Sequence, residues 1–218
     1  MPIFGILIGM SAHAEDIELY VNHNVETDEK PRVIMIFDTS GSMAWDVNDG
    51  NSCYMRSGNR YYQVDCFESK DSYKRNEQCY KRTSYYNYEA TCSDSRLRVA
   101  QNAITQLVND NDDIEFGLMR FNGSSGGYVL ARVGAEKSTL LNKIDELPAS
   151  GSTPLTETLW EAYLYITGQD VYYGDNTNDR DFTAESSGVY KSPFAPVAGE
   201  PLRCDNSINI ILMTDGDP

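Results

Sequence analysis

The sequence predicts an α/β fold, a doubly wound and mainly parallel sheet with helices on both faces. Three observations carry this expectation. Two apolar runs, "VIMIF" (33–37) and "INIILM" (208–213), lead into aspartates at the two ends of the chain. Runs of that kind belong to strands buried on both faces. Amphipathic helical stretches lie between them, and one pair of strands is separated by a Gly-rich turn.

The first strand, 33–37, ends in "DTSGSM". Residues 46–95 show no sustained helical or strand period. They are polar, hold eight of the fifteen tyrosines, and read as an insertion. "SRLRVAQNAITQLVND" predicts a helix, with Leu97, Ala100, Ile104, Leu107 and Val108 on one face and Ser95 or Asp94 as cap. "IEFGLMRF" (114–121) and "GYVLARV" (127–133) predict a hairpin. "STLLNKIDEL" (138–147) predicts a short helix. "TPLTETLWEAYLYITG" (153–168) predicts a stronger one, with Pro154 in its first turn and Gly168 as its stop. Residues 169–206, rich in Asp, Asn, Gly and Pro, read as a second insertion. The last strand, 208–213, then runs into "TDGDP".

Composition narrows the function classes. The 218 residues suit one domain with large insertions. The net charge of −15 argues against nucleic acid as a partner, because phosphate binding needs clustered Lys and Arg. Residues 1–14, an apolar run closed by Ala12-His13-Ala14, read as a signal-peptide remnant too short to span a membrane, with the rest of the domain over 15–218. No other stretch reads as transmembrane. Cys53, Cys66, Cys79 and Cys92 are evenly spaced at thirteen residues, with Cys204 apart. No close C-x₂₋₄-C pair of the zinc type occurs, so two disulfides in an oxidising compartment are expected, with the pairing left open. An exported protein follows from the same features.

The candidate site is a set of oxygens. "DTSGS" places Asp38, Ser40 and Ser42 on one loop after the first strand, with Gly41 expected to let it turn without a Cβ clash. "SGSTP" supplies Thr153 at a loop-to-helix junction, and "MTDG" supplies Asp215 with Gly216 after it. In α/β sheets ligands collect at the carboxyl ends of the strands, so the two aspartates are expected on one solvent-facing rim. Hydroxyls and carboxylates without His or Cys make a hard-cation site, and Mg²⁺ suits it best, with Mn²⁺ or Ca²⁺ as alternatives. Singly, each residue also has a plainer reading: Ser40, Ser42 and Asp215 as turn residues, Thr153 as the N-cap before Pro154. "DNTNDRD" (175–181) carries alternating oxygens but lacks the glycine and closing glutamate of a calcium loop, and "NDNDD" (109–113) reads as a solvated loop.

With these residues in place, the chain resembles the von Willebrand factor A (VWA) family over roughly residues 31–218. That family's metal-ion-dependent adhesion site has the pattern D-x-S-x-S, a distant Thr and a distant Asp, matched here by Asp38, Ser40, Ser42, Thr153 and Asp215. The resemblance implies a Rossmann-like sheet in which Ser40, Ser42 and Thr153 offer neutral oxygens to the metal. Asp38 and Asp215 would act partly through water, and a partner's carboxylate would complete the coordination. The Cys- and Tyr-rich insertion and the cysteine before "ILMTDG" are similar to the PilY-type tip adhesins of type IV pili. This implies a metal-dependent adhesion domain in the periplasm, at the outer membrane or at a pilus tip, with pilus components among its partners. It also implies that the fold is C-terminally truncated and that the last strand is a sheet edge beside the first. No catalytic role is expected. Two alternatives are a VWA subunit of a chelatase-type ATPase complex and a Mg²⁺-dependent aspartate phosphotransferase. The second would need another acid where Ser40 stands.

Overall fold

The structure is a computed structural model. It describes residues 30–47, 53–57, 59–63, 79–84, 87–89, 95–196 and 207–216, with backbone alone at 53–57, 61–63, 79–84 and 87–89. The expected signal remnant, both histidines and the thiols of all five cysteines lie outside the described parts.

A four-stranded, mostly parallel sheet forms the centre. Its strands are β1 (Arg32–Phe37), β6 (Glu115–Phe121), β7 (Gly127–Ala131) and β10 (Asn209–Met213), in the order β10-β1-β6-β7. β1 runs parallel to β6 and to β10, while β6 and β7 form an antiparallel hairpin. The last strand, β10, lies at an edge beside β1. β1 is wholly buried because every residue from Val33 to Phe37 is apolar and the pleat sends them alternately to two cores. Val33, Met35 and Phe37 face a core completed by α1 (Arg96–Asp110) and α2 (Lys137–Asp145), through Leu97, Ile104, Leu140 and Ile144. Ile34 and Ile36 face a second core with Ala162, Leu164 and Tyr165 of α3 (Leu155–Thr167). Helices therefore cover both faces.

The helix signals resolve as follows. Ser95 rather than Asp94 caps α1, its hydroxyl accepting from the Arg98 N–H at 3.1 Å. Gly168 closes α3 in the left-handed conformation, φ 67°. The N-cap of α3 is Pro154, with no side-chain cap bond, so Thr153 does not cap that helix.

Both segments read as insertions carry regular structure. Residues 46–95 carry a second, antiparallel sheet of β2 (Cys53–Ser57), β3 (Arg60–Gln63), β4 (Cys79–Ser84) and β5 (Asn87–Glu89), in the order β3-β2-β4-β5. Within it Ser57 pairs with Arg60 across antiparallel β2 and β3. Strands here escape a period-2 reading because the segment is polar throughout. Cys79 stands opposite Met55 and Cys53 opposite Lys81, which puts these two cysteines on neighbouring strands.

The second insertion packs against α3. A short hairpin, β8 (Glu185–Ser186) with β9 (Val189–Tyr190), places Ala184 and Tyr190 in the α3 core. Glu161 of α3, fully buried, holds the segment. Its carboxylate accepts from the backbone N–H groups of Tyr172, Tyr173 and Gly174 at 2.9–3.2 Å, and from the Tyr190 hydroxyl at 2.7 Å. The loop over 175–181 closes on an internal cation, while the Asp181 carboxylate is turned to the Arg132 and Thr183 N–H groups. Arg180 donates to the carbonyls of Gly174, Asp175 and Thr177 and to the carboxylates of Asp175 and Glu185.

Candidate metal centre

The loop after β1 begins with Asp38, which is 0% exposed. Its N–H donates to the Met213 carbonyl at 2.9 Å, which ties the carboxyl ends of β1 and β10 together. Its Oδ1 accepts from the Ser40 N–H at 2.8 Å and its Oδ2 from the Thr214 hydroxyl at 2.7 Å. The carboxylate is thus fixed in direction, and each oxygen retains a second lone pair. Ser40 is buried and Ser42 half-buried, and their hydroxyl oxygens lie 3.0 Å apart. A single 3-10 turn, Gly41–Ala44, holds them on the same side.

Two further loops close on this one. The Ser150 N–H donates to the Thr39 carbonyl at 2.7 Å, and the Gly41 N–H to the Gly151 carbonyl at 3.0 Å. The Ser152 N–H in turn donates to the Gly123 carbonyl at 2.9 Å. This brings the loop bearing Thr153, which is half-buried, against the loop bearing the serines. The glycine that the approach requires is Gly151, not Gly41. Gly151 has φ 102°, and an added Cβ would lie 2.8 Å from the Gly123 carbonyl oxygen. A Cβ on Gly41 would make only an ordinary contact at 3.7 Å.

Asp215 follows Thr214 on the loop after β10. Its Oδ2 accepts from Arg96 Nη1 at 2.7 Å, and its side chain is only 5% exposed. The expectation of a solvent-facing rim therefore fails for both aspartates. Asp38 is sealed by the Ser40 backbone and Thr214, and Asp215 is covered by Arg96. Arg96 and Thr214 are the site residues that sequence reasoning missed. Thr214 had a signal, a hydroxyl directly before the aspartate. Arg96 had none, because it lies 119 residues from its partner.

The donor chemistry fits a small hard cation. The two serine hydroxyls share a hydrogen bond at 3.0 Å, and that separation is close to the roughly 2.9 Å between neighbouring oxygens of an octahedral ion with ligands at about 2.0–2.1 Å. Among the described residues no three His, Cys, Asp or Glu side chains gather in metal-holding range, so the donors on offer here are hydroxyls and two aspartates rather than a zinc set. Ser40, Ser42 and Thr153 could hold such an ion directly, with Asp38 and Asp215 supplying charge and binding its waters.

No protein-family model matches the chain, and no curated protein matches it. Solved structures give partial likenesses. The D319A mutant of the PilB minor pilin from Streptococcus sanguinis is 15% identical with a TM-score of 0.39, over 82% of this chain and 42% of that one. An uncharacterized membrane spanning protein from Vibrio fischeri is 17% identical with a TM-score of 0.36, over 62% and 48%. The conserved hypothetical protein BatB from Bacteroides thetaiotaomicron is 16% identical with a TM-score of 0.31, over 56% and 40%. The chain spans less than half the length of each of these proteins. Among the described residues no helix is long and apolar enough to cross a membrane.

Proposed function

We propose that this chain is a metal-dependent protein-binding domain of the VWA type, and that Mg²⁺ held by Ser40, Ser42 and Thr153, with Asp38 and Asp215 behind it, is completed by a carboxylate from the partner. One observation carries the reading: two serine hydroxyls 3.0 Å apart stand beside a buried, oriented aspartate at the carboxyl end of the central strand. That spacing is the one an octahedral cation asks of adjacent ligands. Neutral hydroxyls leave the metal with surplus positive charge, which is what makes an acidic group on a partner a good sixth ligand. The cysteine pattern and the resemblance to PilY-type adhesins support export and a place among pilus components, as adhesin or assembly factor.

Binding is favoured over phosphoryl transfer by the state of Asp38. A nucleophilic carboxylate must reach a substrate, whereas this one is fully buried with both oxygens engaged by the protein. Calorimetric titration with MgCl₂ tests the assignment. The wild-type chain is expected to bind one ion, with Ser42→Ala, Asp38→Asn and Asp215→Asn each losing most of the affinity. Affinity unchanged in all three would remove the site.

A further inference from the structure

Arg96 stands at the first position of α1 and reaches Asp215 with its Nη1 at 2.7 Å, while its guanidinium carbon lies 5.5 Å from the centre of the Trp45 ring. Its own N–H donates to the Trp45 carbonyl at 3.0 Å, and Asp46 bridges to Ser95 beside it. One side chain therefore touches a carboxylate of the candidate metal centre and the residue at which the Tyr-rich insertion departs. We propose that Arg96 is a built-in counter-cation that competes with the metal for Asp215, so that metal occupancy is reported to Trp45. The inference rests on the metal-site reading above.

The physical reason is charge. Asp38 and Asp215 are both withdrawn from water on adjoining loops, and two such carboxylates repel one another without a cation between them. Arg96 supplies one positive charge to Asp215. A divalent ion supplies two at nearly the same place, and then the guanidinium is a like charge beside it. Either Arg96 leaves Asp215 when the metal enters or it stays and repels it. In both cases its presence weakens metal binding, and in the first case its stacking on Trp45 changes as well.

The test uses the full 218-residue chain and MgCl₂ alone. Arg96→Gln is expected to bind Mg²⁺ roughly tenfold more tightly than wild type, within the usual range of coupling between two sites. Without metal it is expected to melt at lower temperature than wild type, because the carboxylates have lost their counter-charge. Arg96→Lys, which keeps the charge, should stay near the wild-type affinity. The chain has two tryptophans, so Trp160→Phe leaves Trp45 as the only reporter, and its emission should shift on adding Mg²⁺. Equal or weaker Mg²⁺ affinity in Arg96→Gln overturns the competition while sparing the metal site. A silent Trp45 on metal saturation overturns the report to Trp45. Mg²⁺ binding by neither chain overturns both the competition and the metal reading. Should Arg96→Gln fail to fold, the Lys variant and the Trp45 signal still decide.

Discussion

Asp38 shows how much work one side chain does in a buried site. Replacing it with Ala removes the acceptor for the Ser40 N–H and for the Thr214 hydroxyl; Thr214 is exposed and can turn to water, but the buried Ser40 N–H is left unpaired at about 1–3 kcal/mol. A fall in stability, read by urea unfolding, is therefore expected for Asp38→Ala, where Ser42→Ala should lose metal and little else. Glu161 is the structural counterpart on the opposite face of the sheet. It accepts four hydrogen bonds in full burial, and Glu161→Ala should cost about 3 kcal/mol or more. Two tyrosines nearby set an alkaline limit. Burial pushes the Tyr165 phenol up to about 12, against a smaller opposing pull from its bond with the Val133 N–H. Tyr190 is raised as well, first by burial and then by the Glu161 carboxylate beside it. The ordinary phenol value is 10.0, so an unfolded chain releases these protons first as pH rises. The Tyr165 contribution is complete below pH 10 and is lost progressively from there through about pH 12, and the Tyr190 contribution also begins to fall at pH 10. Stability measured from pH 9 to 12 should fall, and Tyr165→Phe should make that fall shallower.

At the scale of elements, the site depends on three loops that meet through backbone hydrogen bonds rather than side chains. Gly151 is the tightest point, where the Thr153 loop passes over Gly123. Gly151→Ala meets both a positive φ and a backbone oxygen, and should destabilise by a few kcal/mol. It should also weaken Mg²⁺ binding without touching a ligand, which calorimetry and thermal melting together would show. Gly41→Ala, between the two serines, should cost far less stability, because only an ordinary contact awaits its Cβ. The helices behave as their caps indicate, with Ser95 opening α1 and Gly168 closing α3. The insertion sheet β2–β5 is a hairpin-built unit, and the predicted disulfides among Cys53, Cys66, Cys79 and Cys92 would staple it. Peptide mapping without reduction should find two bridges there, and four free thiols would refute them.

For the molecule as a whole, the central sheet acts as the rigid base and the carboxyl ends of β1 and β10 as the place where charge is concentrated. A chain of net charge −15 with two buried aspartates at one spot gains stability from any cation that binds the folded form alone. At a hundredfold excess of Mg²⁺ over its dissociation constant the gain is about 2.7 kcal/mol. For a domain of this size that corresponds to roughly 5–10 °C in melting temperature. Thermal melts in EDTA and in MgCl₂ should differ by that amount, and Ca²⁺ and Mn²⁺ in parallel would rank the ions. Identical melts under all conditions would refute a bound metal.

Sequence by itself determined the strands and helices of the central sheet, because β1 is apolar at every position from Val33 to Phe37 and the three helices carry apolar faces with recognisable ends. It also determined the oxygen-rich loops after β1 and β10, since local motifs of a few residues are enough to mark them. Tertiary structure alone decided what those oxygens face. Arg96 meets Asp215 across 119 residues, and Glu161 gathers donors from a segment 11–29 residues away. The cation inside 175–181 is Arg180, reached by folding its own loop around it. Patterns of period two or 3.6 record which face of an element is apolar. Contacts between distant polar groups leave no period, because each depends on a single pair of residues being brought together by the packing of everything else.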